Sequence, residues 1–291
     1  MKSKFFLCLI SALLSLFSLE LFARIKANQL NQLRPPVYIA DPILGFRLKQ
    51  DLPAQSTTTA FRILMLGDSF TQGNEVPVDK IFSKLLEYRL NQTSDRAYEV
   101  INAGVRGGSP LQYYLWLKTE GLKLKPDIII LNFYLGNDIT DALMFNIATD
   151  SAGLATKLTL KDTYVDDQGY LRRQQTRFSP CELSAFCRLY LRPKPKVYSW
   201  NSQAWEIPRR HLLAMSQMTQ AQFILTLIPQ ASLIDDPVRQ ILLDFAKTNN
   251  IVIIDFTPQL DSSMYDNFDR HWNQVGHKQA AQVLYEYLLS L

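Results

Sequence analysis

Histidine is scarce in this chain, three residues in 291, and cysteine is equally scarce. No histidine or cysteine stands at ligand spacing around the Cys181 and Cys187 pair, so no metal centre is expected there, and nothing else in the chain implies a cofactor. A block of Lys and Arg interleaved with aromatics is missing, and the net charge of +4 is spread along the chain, which excludes a nucleic-acid track. Internal repeats are absent. A second long apolar stretch is absent as well, so the bulk of the chain belongs on one side of any membrane. What remains is a chain of ordinary composition, long enough for one main domain.

One long apolar stretch is present, at the start. Lys2 and Lys4 precede "FFLCLISALLSLFSLELFA", Phe5 to Ala23. At ~1.5 Å per residue a helix there spans roughly 28 Å, about the thickness of a bilayer core. We read residues 1–24 as an uncleaved anchor, with a signal peptide cut after Ala23 as the competing reading. Either places the rest outside the cytoplasm, in the periplasm of a Gram-negative cell. Cys8 lacks the small-residue box of a lipoprotein cysteine. Cys181 and Cys187 in "SPCELSAFCRL" are expected either to close a small disulfide loop in that oxidising space or to remain two buried thiols.

Residues 25–60, with Pro-Pro, scattered Gln and Asn and a Ser/Thr tail, read as a linker holding one short strand near Leu44 to Leu48. From Phe61 strand-like and helix-like segments alternate. Strands are expected at "FRILML", "AYEVIN", "DIIILNFYL", "QFILTLI" and "IVIIDF", separated by helical patterns and closed by a helix from Gly276 to Leu291. That alternation predicts an α/β fold, a three-layer α/β/α sandwich around a mostly parallel five-stranded sheet spanning residues 61–291. Residues 139–200 lack a clear period and read as an insertion shaping a cleft above the sheet.

Three small polar motifs fall at strand ends. "GDS" follows the first strand, "NAGVRGG" the second and "GND" the third, all at the carboxyl edge, where open α/β sheets bind ligands. A serine nucleophile there needs a base. His211 follows Arg209 and Arg210 in a helix and reads as exposed; His277 reads as a packing or capping residue. His271 follows the last strand and has Asp269 two residues before it, close enough for the carboxylate to hold Nδ1–H while Nε2 faces serine. Asp266 and Asp255 are the other carboxylates that could serve.

These motifs together resemble the SGNH/GDSL hydrolase superfamily, in its bacterial membrane-anchored, extracytoplasmic form. "GDSFTQG" resembles the first block with Ser69 as nucleophile, "NAGVRG" the second with Gly104, "GND" the third with Asn137, and "DRHWNQVGH" the last with His271. The likeness covers about Asp41 to Leu291 and is weakest across the insertion. The common form has its acid three residues before the histidine, where this chain has Phe268; the "D-x-H-W" order resembles a variant among polysaccharide acetyl-group enzymes and points to Asp269. The resemblance implies an SGNH, flavodoxin-like sheet and an ester hydrolase using Ser69, His271 and Asp269. It also implies an oxyanion site made by the Ser69 and Gly104 N–H groups and the Asn137 amide, and an acylated glycan or lipid as substrate. An acyltransferase using the same serine and a glycan-binding protein without turnover are the alternatives.

Overall fold

Each predicted strand that is apolar without alternation has to be covered on both faces, and the computed structural model shows how. The structure describes residues 2–32, 37–49, 59–173, 184, 186, 202–231, 237–266 and 269–290. They divide into two units, residues 1–37 with 162–198, and residues 38–161 with 199–291.

In the first unit, helix α1 (Lys2–Gln32) carries the apolar stretch, and exposes Leu13, Leu14, Leu16, Phe17 and Phe22. Among the described residues no helix is long and apolar enough to cross a membrane. Cys181 and Cys187 lie outside the described residues.

The second unit begins with a hairpin, β1 (Tyr38–Asp41) and β2 (Gly45–Leu48), inside the stretch read as linker. It is followed by β3 (Phe61–Gly67), α2 (Ser69–Gln72), α3 (Phe82–Thr93), β4 (Tyr98–Gly104), α4 (Pro110–Thr119), β5 (Ile128–Tyr134) and α5 (Asp138–Asp141). The insertion contributes a second hairpin here, β6 (Phe145–Thr149) with β7 (Ala155–Leu160), while β8 (Thr163–Val165) and β9 (Leu171–Arg173) pair in the first unit. The two hairpins of the second unit pack on each other: the Leu158 N–H donates to the Ile43 carbonyl at 2.7 Å, and Phe46 stacks on Phe145. Strands this short carry too few residues to show a period, which is why the sequence reads as irregular. The chain then forms α6 (Ser202–Gln217), β10 (Gln222–Ile228), α7 (Pro237–Thr248), β11 (Val252–Asp255) and α8 (Gln274–Leu289).

The five central strands are all parallel, in the order β11-β10-β5-β3-β4. Ile63 and Met65, with Ile128, Ile130 and Ile224, meet Phe82, Leu86, Leu90 and Leu284 of α3 and α8 in one continuous core. Leu64, Leu66, Ile129 and Leu131, which alternate with them, point to the opposite face and are equally buried. There α4 packs against α6 and β3, and Trp205 of α6 meets Phe245 of α7 edge to face. Each fully buried Leu, Ile or Phe contributes about 1.5–3 kcal/mol, so the two faces hold the sheet rigidly. One polar side chain interrupts β5: Asn132 donates to the Leu66 carbonyl at 3.1 Å and accepts from Thr226 Oγ1 at 2.8 Å, which satisfies it between its two neighbouring strands. From β3 the chain passes to β4 on one side and then crosses to β5 on the other. The order reverses at β3, so its carboxyl end opens onto the crevice where such sheets bind ligands.

Candidate active site

β3 delivers its last residue, Gly67, into a turn where no side chain fits. A Cβ there would lie 2.1 Å from Thr71 Oγ1 and 2.9 Å from the Asn132 carbonyl oxygen. Asp68 Oδ1 then accepts the Phe70 N–H at 2.9 Å and braces the turn, and Gly73, at φ 69°, ends α2 in the left-handed region. Burial pushes the Asp68 carboxyl up to about 6, against the lowering effect of the Phe70 N–H and the charges of His271 and Arg106. The outcome is a largely buried Ser69 at the strand tip. Its Oγ lies 2.7 Å from His271 Nε2 and only loosely approaches Asp68 Oδ2, at 3.5 Å.

The histidine is presented by a closed turn. Tyr265 and Trp272 bridge antiparallel; between them the Asp266 N–H donates to the His271 carbonyl at 2.7 Å, and the Arg270 N–H to the Asp266 carbonyl at 3.1 Å. Arg270 takes φ 66°, the left-handed step that lets residues 269 and 271 face the same side. Trp272 is fully buried against Phe70, Phe82 and Phe256 and anchors the turn. Asp269 uses both oxygens on its neighbour: Oδ1 accepts the His271 backbone N–H at 3.1 Å and Oδ2 lies 3.2 Å from Nδ1. Burial raises the Asp269 carboxyl, but the His271 ring, its N–H and the charges of His271 and Arg106 outweigh it, so its pKa falls below the usual carboxylate value. Asp255 is committed elsewhere, 2.7 Å from Arg239 Nε. Asp266 holds the turn, accepting the Asp269 N–H at 3.4 Å.

Two residues of this site escaped the sequence reading. Glu75 Oε1 lies 3.8 Å from His271 Nδ1, and the same oxygen is contacted by Arg106 Nη2. The ring N–H is aimed squarely at neither Asp269 nor Glu75, although both are within reach. The loop carrying Arg106 is itself tied down: the Arg106 N–H donates to Gln72 Oε1 at 3.1 Å, and Tyr38 Oη donates to the Arg106 carbonyl at 2.9 Å. Glu75, Asp269 and His271 bring possible ligand atoms within 4.8 Å of one another. With Arg106 on Glu75 and Ser69 on the imidazole, we assign them no metal role.

Among the expected oxyanion donors, the Ser69 N–H and Asn137 Nδ2 have no hydrogen-bond partner among the described residues. Asn137 stands at the N-cap of α5, its carbonyl accepting the Asp141 N–H at 2.8 Å, and its Oδ1 is buried without a partner among the described residues. Gly104 is a correction. Its N–H donates to Asn102 Oδ1 at 2.9 Å, and a Cβ there would lie 2.3 Å from the Gln72 backbone nitrogen, so its glycine character serves close packing of β4 on α2. Asn102 completes that joint by donating to the Thr71 carbonyl at 2.6 Å. Gly107, three residues on, takes φ 71°, faces open space and leaves its N–H without a partner among the described residues.

The other histidines are structural. His211 is a second correction: it is buried, Nε2 accepting the Ala155 N–H at 2.9 Å and Nδ1 lying 2.7 Å from the Ile207 carbonyl, so it pins β7 to α6. His277 is packed between Phe82 and Trp272, as a core histidine, and burial followed by the His271 charge pushes it down to about 4. Beside Asn137, Asp138 is buried, accepting the Tyr134 N–H at 3.0 Å and Tyr113 Oη at 3.2 Å; burial and the Asp68 charge raise its carboxyl.

No family model matches the chain, and no curated protein matches it. Solved structures similar to it include a two-domain esterase active on acetylated mannans (14% identity, TM-score 0.49, covering 79% of this chain and 49% of that one). They also include an acetyl xylan esterase (17% identity, TM-score 0.47, 78% and 100%) and a lipase/acylhydrolase from Enterococcus faecalis (15% identity, TM-score 0.46, 79% and 96%). This chain thus spans about half the length of the two-domain esterase.

Proposed function

We propose that this chain is a serine ester hydrolase acting through Ser69, His271 and Asp269. The observation that carries the proposal is the 2.7 Å contact between Ser69 Oγ and His271 Nε2 at the carboxyl edge of a parallel sheet. As Oγ attacks an ester carbonyl, its proton passes to Nε2. Asp269 steadies the imidazolium through Nδ1–H. The oxyanion is met by the Ser69 N–H and the Asn137 amide, with the Gly107 N–H taking the place expected of Gly104. His271 then returns the proton to the departing alcohol, and water repeats the sequence on the acyl-serine.

The substrate we propose is an acylated envelope glycan or lipid outside the cytoplasm; although no helix among the described residues is long and apolar enough to cross a membrane, we propose that the apolar stretch of α1 holds the chain to one. Leu13, Leu16, Phe17 and Phe22 are 58–67% exposed, a density of bare apolar side chains that suits lipid better than water. Ser69→Ala in the full chain tests the chemistry: hydrolysis of a short-chain aryl ester should vanish while the fold persists, and undiminished turnover would overturn it. Adding a glycan acceptor separates release of free acid, as proposed, from acyl transfer. Retention in membranes after a carbonate wash tests the anchor; release into the supernatant would refute it.

A further inference from the structure

The imidazole of His271 faces two carboxylates rather than one, and the second is held by an arginine. Asp269 Oδ2 stands 3.2 Å from Nδ1 and Glu75 Oε1 stands 3.8 Å away, both side chains only 7% exposed. The Nδ1–H is not well aligned on either. A carboxylate as buried as Glu75 needs a partner to stay ionised, and Arg106, itself 15% exposed, contacts the very oxygen that faces the ring. Glu75 comes from the segment after α2 and Arg106 from the loop after β4, so two further strand-end loops converge on this one nitrogen.

We propose that Glu75 is a second positioning carboxylate for His271, held in check by Arg106. The inference rests on Ser69 and His271 being nucleophile and base. In the resting state Arg106 draws the charge of Glu75 to itself, and Asp269 fixes the tautomer with Nδ1 protonated. When Nε2 takes the serine proton, the ring becomes cationic and meets Asp269 and Glu75 together. Asp68 adds a third, more distant acidic group from the β3–α2 turn. On the remaining sides lie the Phe70 ring, Ser69, and His277 from α8, whose depressed pKa keeps it neutral. The Glu75–Arg106 pair is neutral as a unit, so it adds little charge to the site while intact. Removing either half changes the charge beside the base by one unit.

That asymmetry gives a test that a purely structural pair would fail. In the full chain, Glu75→Gln removes a negative charge 3.8 Å from the ring and should move the acidic limb of kcat/KM down by about one pH unit; Arg106→Gln removes a positive charge beside Glu75 and should move it up by a similar amount. The ring-nitrogen titration of His271, followed by NMR in the Ser69→Ala background, should shift in the same two directions. The double variant Glu75→Gln/Arg106→Gln, which stands in if Arg106→Gln does not fold, should return the limb to near the wild-type position. Adding Glu75→Gln to Asp269→Ala should cost about a further tenfold in kcat, because the reserve acceptor for Nδ1–H is gone. Limbs that stay still or move the same way in both single variants, or a double variant no worse than Asp269→Ala, would overturn the inference. Full turnover by Ser69→Ala would instead overturn the serine reading on which it rests.

Discussion

Replacing Asp269 by asparagine and by alanine should lower the proposed turnover unequally, and the two-oxygen contact says which replacement is worse. Oδ1 is committed to the His271 backbone N–H at 3.1 Å, and Oδ2 faces Nδ1 at 3.2 Å. An asparagine in the same pose keeps its carbonyl oxygen on the backbone N–H, the one donor there that cannot shift its proton to another atom. Its NH2 therefore points at Nδ1. Two donors cannot face each other, so the ring moves its proton to Nε2 and turns a donor towards Ser69; it can no longer act as the base. The serine-protease precedent for that tautomer error is a loss of ~10⁴-fold in kcat. Alanine removes the acceptor without installing a donor. Glu75 Oε1, 3.8 Å away, then needs to approach by roughly 1 Å to reach charge-assisted hydrogen-bond distance, and the correct tautomer survives. We expect a loss of only ~10²-fold, which places the two variants about 2.7 kcal/mol apart in activation free energy. Kinetics on an aryl acetate at pH 8, with circular dichroism to confirm the fold, measure the difference. Equal losses, or alanine the worse of the two, would refute the reasoning.

Asn137→Ala should lower kcat by ~10²- to 10³-fold with little change in Tm, whereas Gly104→Ala should lower Tm, since its Cβ would press on the Gln72 backbone at 2.3 Å; activity and melting curves of both separate a charge-stabilising group from a packing glycine. Asp68→Asn keeps the acceptor for the Phe70 N–H and removes a charge. Because the folded-state pKa of Asp68 is raised from 3.8 to about 6, its stabilising contribution is complete below pH 3.8 and is lost as pH rises through 6. The variant should therefore gain stability over the parent between pH 4 and pH 8, by up to about 3 kcal/mol; a pH-independent difference in thermal denaturation would contradict this. Asp266→Asn preserves the oxygen that accepts the Asp269 N–H and should leave kcat within a few-fold of the parent.

The five strands were legible because strands covered on both faces read as unbroken apolar runs, and the small polar motifs at their ends pointed to one edge. Ser69, Asp269 and His271 could be picked out because each lies at a strand end or two residues from its partner. The motif singles out Gly104, but Gly107 shares its loop, and only φ and the space facing each glycine tell them apart. His211 looked exposed beside two arginines, yet its acceptor role is fixed by Ala155, far away in the chain. Glu75 and Arg106 are likewise separated in sequence and meet only once β3 and β4 lie side by side, a pairing that local patterns do not carry.

The most direct measurement is to map where a fluorophosphonate ester attaches to the full chain by mass spectrometry. Such a reagent phosphonylates an activated serine and leaves ordinary hydroxyls alone. One adduct on Ser69 is expected, absent from Ser69→Ala and strongly slowed in a folded His271→Gln, because the proton on Oγ then has no acceptor at Nε2. An adduct on a different serine, or labelling of Ser69 that proceeds at the same rate without His271, would contradict the proposed mechanism at its centre.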